Sequence, residues 1–226
     1  MNEEDIWNKD YLSDNSLQAL SVVKKAIDEL DLFDEEFKDI FAMDAGVHEG
    51  YTILDHTKMV LRQFDRYFSY KELPDGVTPE FFRVLLTIHD LGKPIAIKRG
   101  NKKLQHEETV KLIDPIFKKL DFSKFERNLA KIIIGSDPIG PYLRYDKLGN
   151  SVNNIKKMIK ESGLSSANFF SVLLIYYMCD ASAYTVDAGG KSALDYVFSF
   201  DHENRKMDFQ TDSKAKMSEL IELIFD

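Results

Sequence analysis

Residues 165–184, SSANFFSVLLIYYMCDASAY, are apolar around nearly the whole circumference of a helix and still contain a carboxylate, Asp180. A helix with no polar face reads as the buried centre of a helical bundle. Leu173, Tyr176 and Tyr177 lie seven, four and three positions before Asp180, so helical geometry carries the carboxylate into the interior with them. A buried carboxylate costs several kcal/mol unless its charge is compensated. A chain of this kind must bring counter-charge to the middle of its own bundle.

Two earlier segments point to the same place. In FFRVLLTIHDLGKP (81–94), Thr78 suits the helix cap, Pro79 its first turn, and Gly92 with Pro94 its end. His89 follows Leu85 by four and Phe82 by seven, and Asp90 follows Leu86 by four, so both side chains point inward. In YTILDHTKMVLRQFDRYF (51–68), His56 lies three after Ile53 and four before Val60, on the same apolar stripe. A lone His-Asp dipeptide reads equally as a satisfied ion pair in a core. Three helices that each offer an inward ionisable group, in the order His, His-Asp, Asp, are harder to explain by unrelated pairs.

His56, His89, Asp90 and Asp180, with HDLGKP at the centre, resemble the HD-domain superfamily of metal-dependent phosphohydrolases over roughly residues 50–185. The resemblance implies an all-α bundle in which these four residues hold a divalent ion that activates a water for attack on phosphorus. A bound cation does this by lowering the pKa of its water and neutralising phosphoryl charge. Mixed imidazole and carboxylate ligands suit Mn²⁺, Fe²⁺, Co²⁺, Ni²⁺ or Zn²⁺, with Mg²⁺ admissible.

After the signature, IAIKRGNKKLQHEETV (95–110) reads as a short extended hairpin turning at Gly100-Asn101, then a helix from near His106. This is similar to the HD domains attached to tRNA nucleotidyltransferases, in which a histidine-glutamate pair follows the signature. The resemblance makes His106 a candidate for substrate contact, general acid or a second metal; the plain alternative is a surface residue at a helix start. It also gives Lys93 a phosphate contact, which a point charge beside the ligands suits. The alternative for Lys93 is an ordinary lysine favouring a helix C-terminus. Asp90, Lys93 and His106 are thus the catalytic candidates, with Lys93 and His106 on the substrate.

The chain also departs from the family. Dinuclear members, including those that cleave cyclic di-GMP, carry further histidines between the positions of His106 and Asp180, and this sequence has none there. In LAKIIIGSDPIGPYLRYD (129–146) an apolar helix ends at Gly135, and Ser136-Asp137 stands where some relatives show a histidine. Asp137 is read as opening an Asp-Pro turn rather than as an oxygen ligand. Gly140-Pro141-Tyr142 resembles a GYP motif only superficially, so cleavage of cyclic di-GMP is not expected.

Composition sets outer bounds. A chain of 226 residues with 44% hydrophobic content can bury one substantial core. The expectation is a single domain over 1–226, with helical extensions flanking a core at about 50–185. A net charge of −8 and a pI near 5.2 argue against long nucleic acid as a partner, since that needs a broad basic surface. They leave room for a small phosphorylated substrate such as a nucleotide. Lys98, Arg99, Lys102 and Lys103 could rim its cleft, although a solvated tip is the preferred reading. Cys179, the single cysteine, excludes an intramolecular disulfide, fits a reducing compartment and reads as a small core residue. With no basic, apolar leader in MNEEDIWNKD and no apolar run long enough to span a bilayer, a cytoplasmic protein without a membrane partner is expected.

Helices are expected near 14–30, 34–43, 53–69, 79–91, 106–120, 123–135, 151–162, 166–184 and 212–225. Ser13, Asp14, Ser123, Ser151 and Ser165 or Ser166 are candidate caps, and Gly163 is a candidate stop. Residues 186–211 lack helical periodicity; His202 within them reads as surface polar. His48, in the loop DAGVHEG, either reaches the metal or stays a loop residue. The expected activity is metal-dependent phosphoester hydrolysis. The alternative is an HD-fold nucleotide-binding or regulatory module without turnover.

Overall fold

The computed structural model describes residues 5–8, 10–145 and 147–226. Among them are ten α-helices and one two-stranded sheet: α1 (Asp14–Leu30), α2 (Ile53–Tyr67), α3 (Pro79–Ile88), α4 (Lys93–Lys98), α5 (Gln105–Lys119), α6 (Lys124–Ile134), α7 (Ile139–Arg144), α8 (Leu148–Ser162), α9 (Ser166–Ser182), β1 (Phe198–Asp201), β2 (Lys206–Phe209) and α10 (Thr211–Phe225). The mostly helical bundle agrees with the all-α expectation. Among the described residues no single helix is long and apolar enough to cross a membrane.

Helix starts follow local chemistry. Ser13, Thr78 and Ser165 each accept a backbone N–H from the first turn of their helices. Thr52 with Asp55 and Ser123 with Glu126 form reciprocal capping boxes. Gly163, at φ 75°, ends α8 as expected. Ser151 does not cap: α8 begins earlier, after Lys147, and places Ser151 inside the helix.

The expected helix at 34–43 is instead two single turns, Glu35–Phe37 and Ile40–Ala42. Acidic side chains at 34, 35, 36 and 39 leave too little apolar surface to seat a longer helix, and only Ile40 and Phe41 of the two turns are buried. The hairpin expected after the signature is absent as well. Residues 93–98 form α4, with Pro94 in its first turn and Lys93, Pro94, Ile95 and Ala96 buried in succession. Such consecutive burial is incompatible with a strand whose faces alternate. The hairpin that does form is β1–β2, pairing Phe198 with Phe209 and Asp201 with Lys206.

α9 lies at the centre, against α2 and α8, and α2 in turn packs on α3. Phe64 of α2 stacks on Phe82 of α3 at 5.3 Å between ring centroids, and both are fully buried. Burying each such ring contributes about 1.5–3 kcal/mol. A polar clamp then fixes α2 to the chain that leaves α9. Arg62 donates to the Ala188 carbonyl and Arg66 to the Asp187 carbonyl, each at 2.5 Å, while Gln63 and the Tyr67 hydroxyl both reach Asp187 Oδ2. Hydrogen bonds from charged donors contribute about 1.5–3 kcal/mol each. The helix carrying His56 is therefore held in register with the helix carrying Asp180.

Candidate metal centre

The three helices converge on one point. His56 and His89 are buried on α2 and at the C-terminal end of α3, and Asp180 meets them from α9. One ligand atom from each of these three lies within 4.8 Å of the others. His56 Nε2 is 2.9 Å and His89 Nε2 3.4 Å from Asp180 Oδ1. Asp90 closes the fourth side, its Oδ2 3.5 Å from His56 Nε2 and 3.7 Å from His89 Nε2. All four expected ligands are thus neighbours, although Asp90 Oδ2 also receives the Lys93 ammonium at 2.5 Å.

Gly92 allows this turn to sit where it does. Its N–H donates to the Thr109 hydroxyl, and a Cβ at this position would lie 2.2 Å from the Thr109 backbone nitrogen and 2.6 Å from the Gln105 carbonyl oxygen. Only glycine lets the turn after His89-Asp90 press against the first turns of α5, which carries His106.

Burial works against the charged forms of His89, Asp90, Lys93 and Asp180. Even so, the hydrogen bond from His56 and the charge of His89 and His56 hold the Asp180 carboxyl well below the usual carboxylate range. Lys93, then His89 and His56, likewise overcome burial and lower Asp90. The His89 imidazole is raised, since Asp90 and Asp180 outweigh its desolvation. Lys93 is raised by the same two carboxylates against its own burial.

The donor set fits a cation. His89 Nδ1 lies 2.6 Å from the Leu86 carbonyl, which can only accept, so Nδ1 carries hydrogen. That leaves His89 Nε2 buried, without a hydrogen-bond partner, and turned toward two carboxylates. In the neutral ring this nitrogen presents a lone pair to negative oxygens, an arrangement that a proton or metal ion relieves. His56 Nδ1 is also buried without a partner among the described residues, so its tautomer is not fixed from behind as that of His89 is.

The cluster opens into a cleft of about 480 Å³. Asp90, Lys93, His106, Asp137 and Asp180 line it, so the expected substrate-side residues Lys93 and His106 share one space with the metal candidates. His48 also reaches the cleft wall, on a loop pinned by Lys102 donating to the Gly46 carbonyl and Lys191 to the Glu49 carbonyl. His202 does not line it: it pairs with Asp187 at 2.6 Å and stacks on Trp7, half exposed. Lys102 borders the cleft, whereas Lys98 pairs with Glu36 and Arg99 with Glu108. Cys179 is fully buried, as read from the sequence.

Sequence reasoning missed several lining residues. Tyr176 and Tyr184 flank Asp180 at four positions on either side, a spacing that was visible. The Tyr184 ring lies 4.8 Å from that of His56 and shields the cluster on that side. Gln105 and Arg144 left no local signal, because long-range packing of α5 and α7 brings them to the cleft. Comparison of the chain with protein-family models, with curated proteins and with solved structures returned no match.

Proposed function

We propose that the chain is a metal-dependent phosphohydrolase of the HD-domain type, acting on a nucleotide or another small phosphoester. The observation that carries this reading is His89 Nε2, orphaned and buried against Asp90 and Asp180 at the head of a cleft that also holds Lys93 and His106. His56, His89, Asp90 and Asp180 would hold the ion. A divalent cation there supplies Lewis acidity, lowering the pKa of a water and neutralising phosphoryl charge.

The remaining work falls to the chain itself. Among the described lining residues Lys93, Lys102 and Arg144 face four carboxylates, so a divalent ion turns the cleft net positive and makes it suitable for an anionic ester. Lys93 holds a phosphoryl oxygen once its ammonium is shared between Asp90 and substrate. His106 contacts the ester from the opposite helix. Tyr176 and Tyr184 wall the cluster and keep bulk water away from it.

One observation favours a second reading, an HD-fold module without turnover. Lys93 already sits on Asp90, and a protonated His89 beside Asp180 would balance the cluster's charge without any metal. A screen of nucleotides and generic phosphoesters with Mn²⁺, Mg²⁺, Co²⁺, Ni²⁺ or Zn²⁺ separates the two. Metal-dependent release of phosphate or of a monoester product supports the enzyme. Ligand binding without product supports the module.

A further inference from the structure

Asp137 stands outside the ligand set and is built into the cleft with unusual care. One of its oxygens, Oδ1, accepts the Gly140 N–H at 2.9 Å, which seats the carboxyl at the start of α7. The other oxygen lies against Gly140, where any Cβ would push it aside. A Cβ there would lie 2.5 Å from Asp137 Oδ2 and 3.2 Å from the Arg144 guanidinium. Gly140 does not have a positive φ, so the requirement is one of room rather than of backbone conformation. No cation within salt-bridge distance neutralises Asp137 among the described residues.

Its surroundings favour the protonated form. Burial raises the carboxyl above its ordinary value, and the charge of Asp180 adds to this, against the Gly140 N–H, Arg144 and His106. The titratable groups facing it are His106 from α5, Arg144 from α7, and Tyr176, Tyr177 and Asp180 from α9. An acid seated through one oxygen in the cleft that holds Asp180 and Lys93, and shifted toward its protonated form, is placed to donate a proton. His106 is less well prepared: its Nε2 lies 3.4 Å from the Gln105 amide nitrogen, and no carboxylate among the described residues hydrogen-bonds its ring.

Resting on the phosphohydrolase reading, we propose that Asp137, rather than His106, is the general acid that protonates the leaving-group oxygen. In this step the oxygen of a water forms the new bond to phosphorus. The bond from phosphorus to the leaving oxygen breaks, and its electron pair stays on that oxygen. The Asp137 proton goes to it, and the proton given up by the water passes to solvent, from which Asp137 is recharged. His106 then serves the substrate as a contact, and Gly140 positions the acid.

The test uses the full chain loaded with Zn²⁺ or Mg²⁺ and two phosphomonoesters, one with an alkyl leaving group and one with 4-nitrophenolate. D137N keeps an oxygen for the Gly140 N–H but has no acidic proton. It should lower kcat for the alkyl ester by about a hundredfold or more, and for the nitrophenyl ester by less than about threefold, because a good leaving group needs no proton. Metal content should not change. The Asp137 carboxyl, assigned in the ¹³C NMR spectrum by difference with D137N, should titrate above an ordinary aspartate. Equal losses on both esters, an ordinary titration, or a leaving-group-dependent loss in H106A instead of D137N would each overturn the assignment. Failure of D137N alone leaves the phosphohydrolase reading intact. A wild-type chain inactive on both esters and on nucleotides fails at that reading, and the assignment falls with it.

Discussion

His89 donates its Nδ1–H to the carbonyl of Leu86, three residues earlier in α3, at 2.6 Å. This one bond fixes both the tautomer and the direction of the ring, so that Nε2 is the atom delivered to Asp90 and Asp180. The imidazole is preorganised by its own helix.

Metal binding should therefore stabilise the native chain. At a free ion concentration a hundred times its Kd, mass action adds about 2.7 kcal/mol. Thermal melts with added Mn²⁺, Ni²⁺ or Zn²⁺ should shift upward for the wild type and stay put for H89A and D180N. A wild-type melt indifferent to all three ions, in protein that elemental analysis finds metal-free, would leave only an ion-paired core.

Lys93 supplies a second expectation because it already pairs with Asp90, the carboxylate that a bound metal would need. Without metal, Lys93→Ala strips the buried Asp90 carboxylate of its nearest cation, and breaking a buried pair in this way costs about 3–5 kcal/mol. The low end applies, since His56 and His89 remain beside it. Added metal should then rescue K93A by a larger melting shift than it gives the wild type, while KM for a phosphoester rises. An unchanged metal-free stability would mean that the lysine is not paired in solution.

The convergence of these side chains was legible because the helical period alone decides which way a side chain points, and His56, His89 and Asp180 each share a stripe with buried neighbours. The cleft was not. α7 was hidden by Pro138, Gly140 and Pro141, which read as breakers, yet Pro141 falls in the first turn, where its missing N–H costs nothing. α4 was hidden by Ile95 and Ile97, whose alternation imitates a strand; Ile97 turns out exposed while Ile95 and Ala96 are buried together against α5. Asp137 was read as a turn residue. It does open the turn into α7, but nothing local to SDPIGP says that the turn ends in the same space as Asp180.

The pH dependence of the metal-free chain follows from opposite shifts on His89 and Asp180. Asp180 is lowered in the folded state, so it contributes stability that is present above the unfolded carboxylate value and lost as pH falls through its depressed folded value. His89 is raised, so its contribution is complete below the unfolded histidine value of about 6.5 and is lost as pH rises through the higher folded value. Denaturant midpoints measured across pH should fall on both sides of a maximum. H89Q should flatten the alkaline limb and D180N the acid one. A wild-type curve that keeps rising from pH 6 to 8 is incompatible with the raised His89.

Gly92 offers the sharpest test of how the centre and the substrate side are joined. In Gly92→Ala the new Cβ meets backbone atoms of α5, the Thr109 nitrogen at 2.2 Å and the Gln105 oxygen at 2.6 Å, and neither can swing aside as a side-chain end could. The start of α5 must move outward, weakening the Gly92 N–H bond to the Thr109 hydroxyl and shifting His106 with it. Overpacking of this kind costs about 1–3 kcal/mol. The substitution changes none of the four candidate ligands, so any bound metal should be retained while hydrolysis falls and KM climbs. If G92A loses its metal while keeping wild-type stability, the glycine serves the ligands directly and the contact with α5 is incidental.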